Sequence, residues 1–413
     1  MAPDARTQVH PRWAMVSTYP PTPCGLATFT QALVAGLSAS GTRVDVVRVV
    51  DEPPRQSPPG VVHHLVNGAV SGADEAADVL NGYDVVVVQH EFGIYGGTDG
   101  EQLLDVLAQL RVPVITVLHT VLADPTSHQR QVLQTVIERS DVLVTMTRTA
   151  RDRVVGMYGV AAGSVHVIQH GAADALVSGP SSRSPREREH GARRAGVFGA
   201  PGRRPVILTW GLLGYGKGIE WGIEALPALR DLVPRPVYVV AGRTHPRVIE
   251  REGERYRHGL ERLTAKLGLA RDVVFDDRYL APAQLHRMVC AADVVLLPYD
   301  SREQVTSGVL IEAVAAGRPV VSSGFPHALE LLGGGAGLLV ERKNPAQIAS
   351  ALRRVLTEPG LASRLSRQAA TLAPDLSWSA VARCYLEVGN SLCRAQAVLA
   401  DVGAVARAVA VVA

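Results

Sequence analysis

From Gln304 to Val321 the chain reads Gln-Val-Thr-Ser-Gly-Val-Leu-Ile-Glu-Ala-Val-Ala-Ala-Gly-Arg-Pro-Val-Val. A polar loop, a helix opening at Ser307-Gly308, one acid at Glu312, a stop at Gly317 and a buried strand follow one another. Small residues at a helix start leave backbone N–H groups open, which is what a phosphate needs. Glu312 lies among apolar neighbours, where an unpaired carboxylate is costly, so it calls for donors such as ligand hydroxyls.

Two glycine-bearing loops point to the same chemistry. Tyr19-Pro-Pro-Thr-Pro-Cys-Gly25 follows an apolar run, its prolines stiffening the loop while Gly25 admits a close ligand. Gly211-Leu-Leu-Gly-Tyr-Gly216-Lys217-Gly218 follows another. A lysine at a helix start opposes the dipole and makes sense when an anion sits there. Arg243 and Arg278 are further candidate cations for that anion. His90 and His119 close two apolar runs, with Glu91 next to His90 and His170-Gly171 closing a third. Most strand-end histidines are structural, but two at adjacent strand ends raise the case for chemistry. Asp276-Asp277-Arg278 lacks a third ligand at sensible spacing, so no metal site is expected.

Alternating short apolar runs and helical patterns must position these residues, which is the mark of parallel α/β architecture. Strands are expected at 13–17, 44–50, 85–89, 114–119, 142–147 and 165–168, then at 206–210, 237–241, 273–276, 294–298, 319–322 and 337–340. Helices are expected from the loop after the first strand through Leu37 and at 102–110, 127–139, 218–229, 254–267, 282–291, 308–316 and 345–356. The polar stretch from Ser178 to His190 reads as a connector. The division expected is residues 1–175, a linker at 176–204, a second domain at 205–375, and helices at 376–413, the first returning to the first domain. The fold class is α/β, with two facing Rossmann-like doubly wound domains whose loops at the strand carboxyl ends line a cleft.

With 413 residues, 47% of them hydrophobic and 20% charged, the chain supports two cores. A formal net charge of +3 does not indicate a nucleic-acid partner. Cys24, Cys290, Cys384 and Cys393 lack metal-site spacing and fit a reducing, cytoplasmic setting. The N-terminal residues show no apolar leader pattern. The Ala/Val-rich tail from Ala395 carries Asp401 and Arg407 and reads as a packed helix rather than a membrane span. Neither loop is G-x-G-x-x-G, which argues against a dinucleotide-dependent dehydrogenase.

The 304–321 segment and both loops resemble those of family-4 retaining glycosyltransferases of GT-B fold (glycosyl transferases group 1), a likeness running from Val16 to about Leu386. The resemblance implies transfer of a hexose from a nucleotide-diphosphate sugar, GDP-mannose or a UDP-sugar, to a carbohydrate, lipid or small-molecule acceptor. It implies no cofactor or obligatory metal, and a front-face route in which the leaving phosphate helps deprotonate the acceptor. Gly25, Gly216, Lys217, Arg243, Arg278, Ser307, Gly308 and Glu312 then bind the donor, with Glu312 on the ribose. His119, Lys217, Gln304 and Glu312 form the catalytic set, and His90 with Glu91 lies on the acceptor side. The family's E-x7-E pattern places its first acid at Gln304, and its loop arginine falls at Leu212. Those departures keep two alternatives open, a nucleotide-sugar epimerase and a non-catalytic carbohydrate-binding protein. Membrane association is neither supported nor excluded.

Overall fold

The structure is a computed structural model that describes residues 11–177, 203–278 and 280–412. The expected connector at 178–190 lies outside the described residues. The chain forms two compact units, one from Met1–Gln169 together with Trp378–Ala413 and one from His170–Ser377.

Unit 1 is a seven-stranded sheet in the order β3-β2-β1-β4-β5-β6-β7. Its strands are β1 (Arg12–Ser17), β2 (Arg43–Val50), β3 (Val61–Val66), β4 (Val85–His90), β5 (Val114–Leu118), β6 (Val142–Thr145) and β7 (Val165–Val167). All pairings are parallel, with Val16 opposite Val47 on one side and Val88 on the other. β4 and β5 are buried throughout, as continuous apolar runs require when both faces are covered. On one face Trp13, Met15, Val87 and Val117 pack against Phe29, Leu33 and Leu37 of the Gly25–Ala39 helix. The same core takes in Val381, Ala382 and Tyr385 from the long Trp378–Val412 helix. Full burial of side chains of this size stabilises by about 1.5–3 kcal/mol each.

Unit 2 holds β8 (Val206–Trp210), β9 (Val237–Ala241), β10 (Val273–Asp276), β11 (Val294–Leu297), β12 (Val320–Ser323) and β13 (Gly337–Val340), ordered β10-β9-β8-β11-β12-β13. Alternate residues of β9 serve opposite faces, Tyr238 and Val240 in one core and Val239 and Ala241 in the other. In both units the order reverses beside the first strand, between β1 and β4 and between β8 and β11. Doubly wound sheets bind ligands at the carboxyl side of that point. The loops there are 18–24 and 91–101 in unit 1, and 211–218 and 298–307 in unit 2.

The expected elements differ from the structure mainly by omission. β3 was not expected, because Val61-Val-His-His-Leu-Val66 interrupts its apolar run with two histidines, as a sheet edge permits. The helices Gly72–Leu80, Arg148–Tyr158, Pro246–Glu252, Pro326–Leu332 and Leu361–Leu372 were also not expected. The expected helix at 218–229 is an α-helix over Ile219–Ala225 continued by a 3-10 turn over Leu226–Leu229, where Pro227 ends the regular ladder. No helix among the described residues is long and apolar enough to cross a membrane. The side chains of most of the tail after Ala395 lie outside the described residues.

Candidate functional site

In unit 2 the Gly308–Ala315 helix begins as its sequence requires. Ser307 caps it, its hydroxyl accepting the Leu310 N–H at 3.3 Å. The Ser307 N–H donates to Nδ1 of buried His327 at 2.8 Å. That bond needs an unprotonated Nδ1, and burial holds the His327 pKa down to about 3. His170 is also kept neutral by burial, its pKa near 4, and its Nδ1–H donates to the Gly171 carbonyl at 2.7 Å. The His170 ring sits directly over Gly308, where a Cβ would lie 2.9 Å from Nε2. Two neutral imidazoles therefore meet the helix start, and a side chain at position 308 would have to displace the His170 ring.

One turn into the helix, Glu312 accepts the Trp210 indole N–H at 3.2 Å. Burial pushes its carboxyl up to about 7, with the indole bond opposing that rise. Near neutral pH it is therefore poised between acid and carboxylate, and hydroxyl donors would favour the carboxylate.

The 211–218 loop passes beside the 298–307 loop. Gly218 has φ +62°, and a Cβ there would overlap the Pro298 carbonyl oxygen. The Asp300 N–H donates to the Gly216 carbonyl at 2.9 Å. The half-buried Lys217 rests its ammonium 4.2 Å from the Tyr299 ring centroid. Tyr299 is fully buried and stacked on Phe325, centroids 5.1 Å apart. Among the described residues neither its hydroxyl nor Oγ1 of Thr306 has a hydrogen-bond partner. Both atoms are shut off from solvent, and buried polar atoms left unpaired are costly. The Gln304 amide donates to the Thr306 carbonyl at 3.1 Å, leaving its Oε1 as an acceptor.

The remaining cations stand apart. Arg243 is exposed, and only its backbone joins the loop, accepting the Leu213 N–H at 2.8 Å. Arg278, after edge strand β10, is held by Asp276 through Nε at 2.8 Å and Nη2 at 2.6 Å. With both arms so engaged, Arg278 is not assigned to the phosphates.

Unit 1 presents a different chemistry. The Gly25–Ala39 helix is capped by a thiol, Cys24 Sγ accepting the Ala27 N–H at 3.3 Å. Space around Gly25 is open, since a Cβ there meets nothing within 4 Å. Beneath the loop the buried Arg48 donates from Nε to the Tyr19 carbonyl at 3.1 Å and from Nη2 to the Thr22 hydroxyl at 2.9 Å. His119 Nε2 pairs with Gln89 Oε1 at 2.6 Å, which fixes Nε2 as the protonated nitrogen. Phe29 packs edge-on against that ring, with centroids 4.8 Å apart. His90 was expected to project into a cleft. It is instead enclosed at 2% exposure with Phe92 edge-on at 5.1 Å, and burial takes its pKa to about 4. Its neighbour Glu91 is half-buried and accepts the Thr120 hydroxyl.

Sequence reasoning passed over Arg48, Tyr299, Trp210 and the capping role of His327. Arg48 had a signal, one charge inside Val46-Val-Arg-Val-Val50. Among the described residues, no group of three or more His, Cys, Asp or Glu could hold a metal.

Residues 204–358 match the model for glycosyl transferases group 1, and residues 23–175 that for glycosyltransferase family 4. The chain belongs to the family-4 glycosyltransferases. It is 28% identical over 256 residues to a glycogen synthase of Mycobacterium tuberculosis, covering 61% of this chain and 55% of that protein. The chain thus spans about half the length of that relative. It is 28% identical over 368 residues to a D-inositol 3-phosphate glycosyltransferase of Rhodococcus jostii, covering 82% and 77% of the two chains. The solved structure of Anabaena Alr3699/HepE in complex with UDP and glucose superposes with a TM-score of 0.70 at 17% identity, over 92% of this chain and all of that one. That likeness is one of fold, GT-B, with a Rossmann-like parallel sheet in each half.

Proposed function

We propose that this chain is a retaining hexosyltransferase using a nucleotide-diphosphate sugar. The observation that carries the reading is the Ser307-Gly308 helix start, flanked by neutral histidines, with Glu312 one turn further in. On this reading the diphosphate takes the open N–H groups of that helix and the Lys217 ammonium. The ribose hydroxyls donate to Glu312 and drive it to the carboxylate. Thr306 and the Oε1 of Gln304 supply polar contacts to the donor.

The bond from the sugar's anomeric carbon to the leaving phosphate oxygen breaks. The bond to the acceptor oxygen forms on the same face, and the acceptor proton passes to the departing phosphate. Stabilising that phosphate is an electrostatic task, and fixed dipoles perform it without reorganisation. His119, held in one tautomer by Gln89, serves the sugar, and Glu91 with Thr120 serves the acceptor. No residue is required to hold a metal. The relatives' names favour transfer over epimerisation, while Leu212 and Gln304 favour a binding-only protein as the second reading.

Thermal-shift measurements with GDP-mannose, UDP-glucose, UDP-GlcNAc, GDP and UDP test the donor, since a ligand that binds only the folded chain raises its apparent stability. Transfer to an acceptor panel, with the product's anomeric configuration read by NMR, tests the chemistry. Stabilisation by a sugar nucleotide with an α-linked product supports the proposal. No shift with any of the five overturns it, and a shift without transfer or hydrolysis leaves the binding-only reading.

A further inference from the structure

Beside the Lys217 loop, unit 2 carries a solvent-open surface hollow of about 370 Å³ lined by Asp300, Arg302, Arg342 and Lys343. It opens where the chain leaves β11 and β13, at the carboxyl edge of the sheet. Three cations face a single carboxylate there. Asp300 neutralises Lys343, and Arg302 and Arg342 leave two guanidinium groups able to take a further anion.

The backbone supports a deliberate placement. Lys343 has φ +56°, in the left-handed region that glycine occupies readily and lysine rarely. Such outliers persist where the surroundings hold them, and they concentrate at ligand sites. Here the hold is an ion pair, Lys343 Nζ to Asp300 Oδ2 at 2.9 Å. Asp300 is in turn fixed to the 211–218 loop by its N–H bond to Gly216. The nearby Glu341 carboxylate accepts the Asn344 amide at 3.0 Å and does not line the hollow. Asp99, the other non-glycine residue with positive φ among the described residues, is of a type that tolerates this region. Lys343 has no such excuse.

We propose that Arg302, Arg342 and Lys343 form a second anion site, distinct from the diphosphate site at Lys217, which receives a phosphate or carboxylate carried by one of the two substrates. The biological use of the site rests on the glycosyltransferase reading. Its chemistry rests on the hollow alone. The carrier is either an acidic sugar on the donor, which brings a carboxylate, or a phosphorylated acceptor, which brings a phosphate; either is an oxyanion that guanidinium and ammonium groups bind.

The test uses the full chain saturated with UDP, and separately with GDP, so that the diphosphate site is filled. Inorganic phosphate is then titrated by calorimetry against the wild type, K343G and the R342A/K343G double variant. Phosphate should bind the nucleotide-saturated wild type, and the double variant should weaken it at least tenfold while nucleotide affinity stays within about twofold. K343G should keep or raise the melting temperature, because glycine relieves the left-handed backbone, which separates lost binding from lost folding. Unchanged phosphate affinity in the double variant overturns the proposal. So does a loss of nucleotide affinity in its place, which would make the cluster part of the diphosphate site.

Two substrate pairs then identify the carrier, UDP-glucuronate against UDP-glucose and glucose 6-phosphate against glucose. The pair whose preference collapses in the double variant names the source, and preferences untouched in both pairs overturn the proposal. If neither nucleotide stabilises the wild type, the glycosyltransferase reading falls. The same phosphate titration without nucleotide then still decides the cluster.

Discussion

The two units share a strand order and differ in what they leave open at the carboxyl edge of the sheet. In unit 1 the edge is largely tied to itself. Gln89 holds His119, Thr120 meets Glu91, and Arg48 spends two of its arms on the loop above it. In unit 2 the corresponding edge keeps a glycine-lined helix start, a half-buried lysine over the Tyr299 ring, and a cation-rich surface hollow. The same scaffold thus ties its edge to itself in one half and leaves cations and helix N–H groups at the edge in the other. A shared fold therefore does not imply a shared task.

The sharpest way to break this contrast is at Lys217. K217A should lower turnover by about 10²–10³-fold, the scale of losing one preorganised charge-stabilising group. Its melting temperature should stay close to that of the wild type, because Lys217 is only half-buried and rests on one aromatic face. Wild-type-like turnover would remove the residue from the mechanism. G308A should follow, since its methyl meets the His170 ring at 2.9 Å. Overpacking of that kind costs about 1–3 kcal/mol, and donor affinity should fall with it, read by chemical denaturation and calorimetry. A stable G308A with unchanged donor affinity would show that the helix start is not the phosphate site.

Glu312 gives a prediction with a sign. Its folded pKa, near 7, lies above the ordinary value of 4.5, so the folded chain binds a proton that the unfolded chain releases across that window. The stabilisation is full below pH 4.5 and is lost as pH rises toward 7, amounting to on the order of 3 kcal/mol. Against E312Q, which does not titrate, the wild type should therefore lose relative stability over that range. Nucleotide binding near pH 7 should release protons from the wild type and not from E312Q, a difference calorimetry in buffers of differing ionisation enthalpy detects. His90, His170 and His327 act in the opposite direction. Their pKa values of about 4, 4 and 3 lie below the usual 6.5, so their contribution is present above pH 6.5 and is lost on acidification. The smallest effect is expected in unit 1 at C24S. A hydroxyl caps a helix better than a thiol, so stability should rise by up to about 1 kcal/mol with donor affinity unchanged. A loss of donor affinity there would shift part of the anion task to unit 1.

The central strands were legible because parallel strands covered on both faces must be apolar throughout, as Val85–Val88 and Val294–Leu297 are. β3 and several surface helices were not, because an edge strand or an amphipathic helix tolerates His63, His64 and other polar residues without a clean period. At the candidate site, the Ser307 cap, the helix start at Gly308 and the buried setting of Glu312 could be read from local chemistry, since each is set by a few neighbours in sequence. Arg278 and His90 could not. What Asp276 and Phe92 do to them depends on side-chain directions that spacing does not encode. Lys343 was silent for the opposite reason, since nothing in its type reveals a left-handed backbone.

The chain enters unit 2 at His170 and leaves it at Ser377, and the core around Phe29 and Trp13 awaits Val381 and Tyr385. A ribosome therefore delivers every residue of the inner unit before it delivers the helix that seals the outer one. The inner unit is free to fold first, its ends tied by the Ala172–Ser377 bridge, while Trp13 and Phe29 stay partly uncovered. Released chains truncated before Trp378 should accordingly resist protease over 203–377 and remain open to cleavage over 11–169, the reverse of the usual N-terminal-first order.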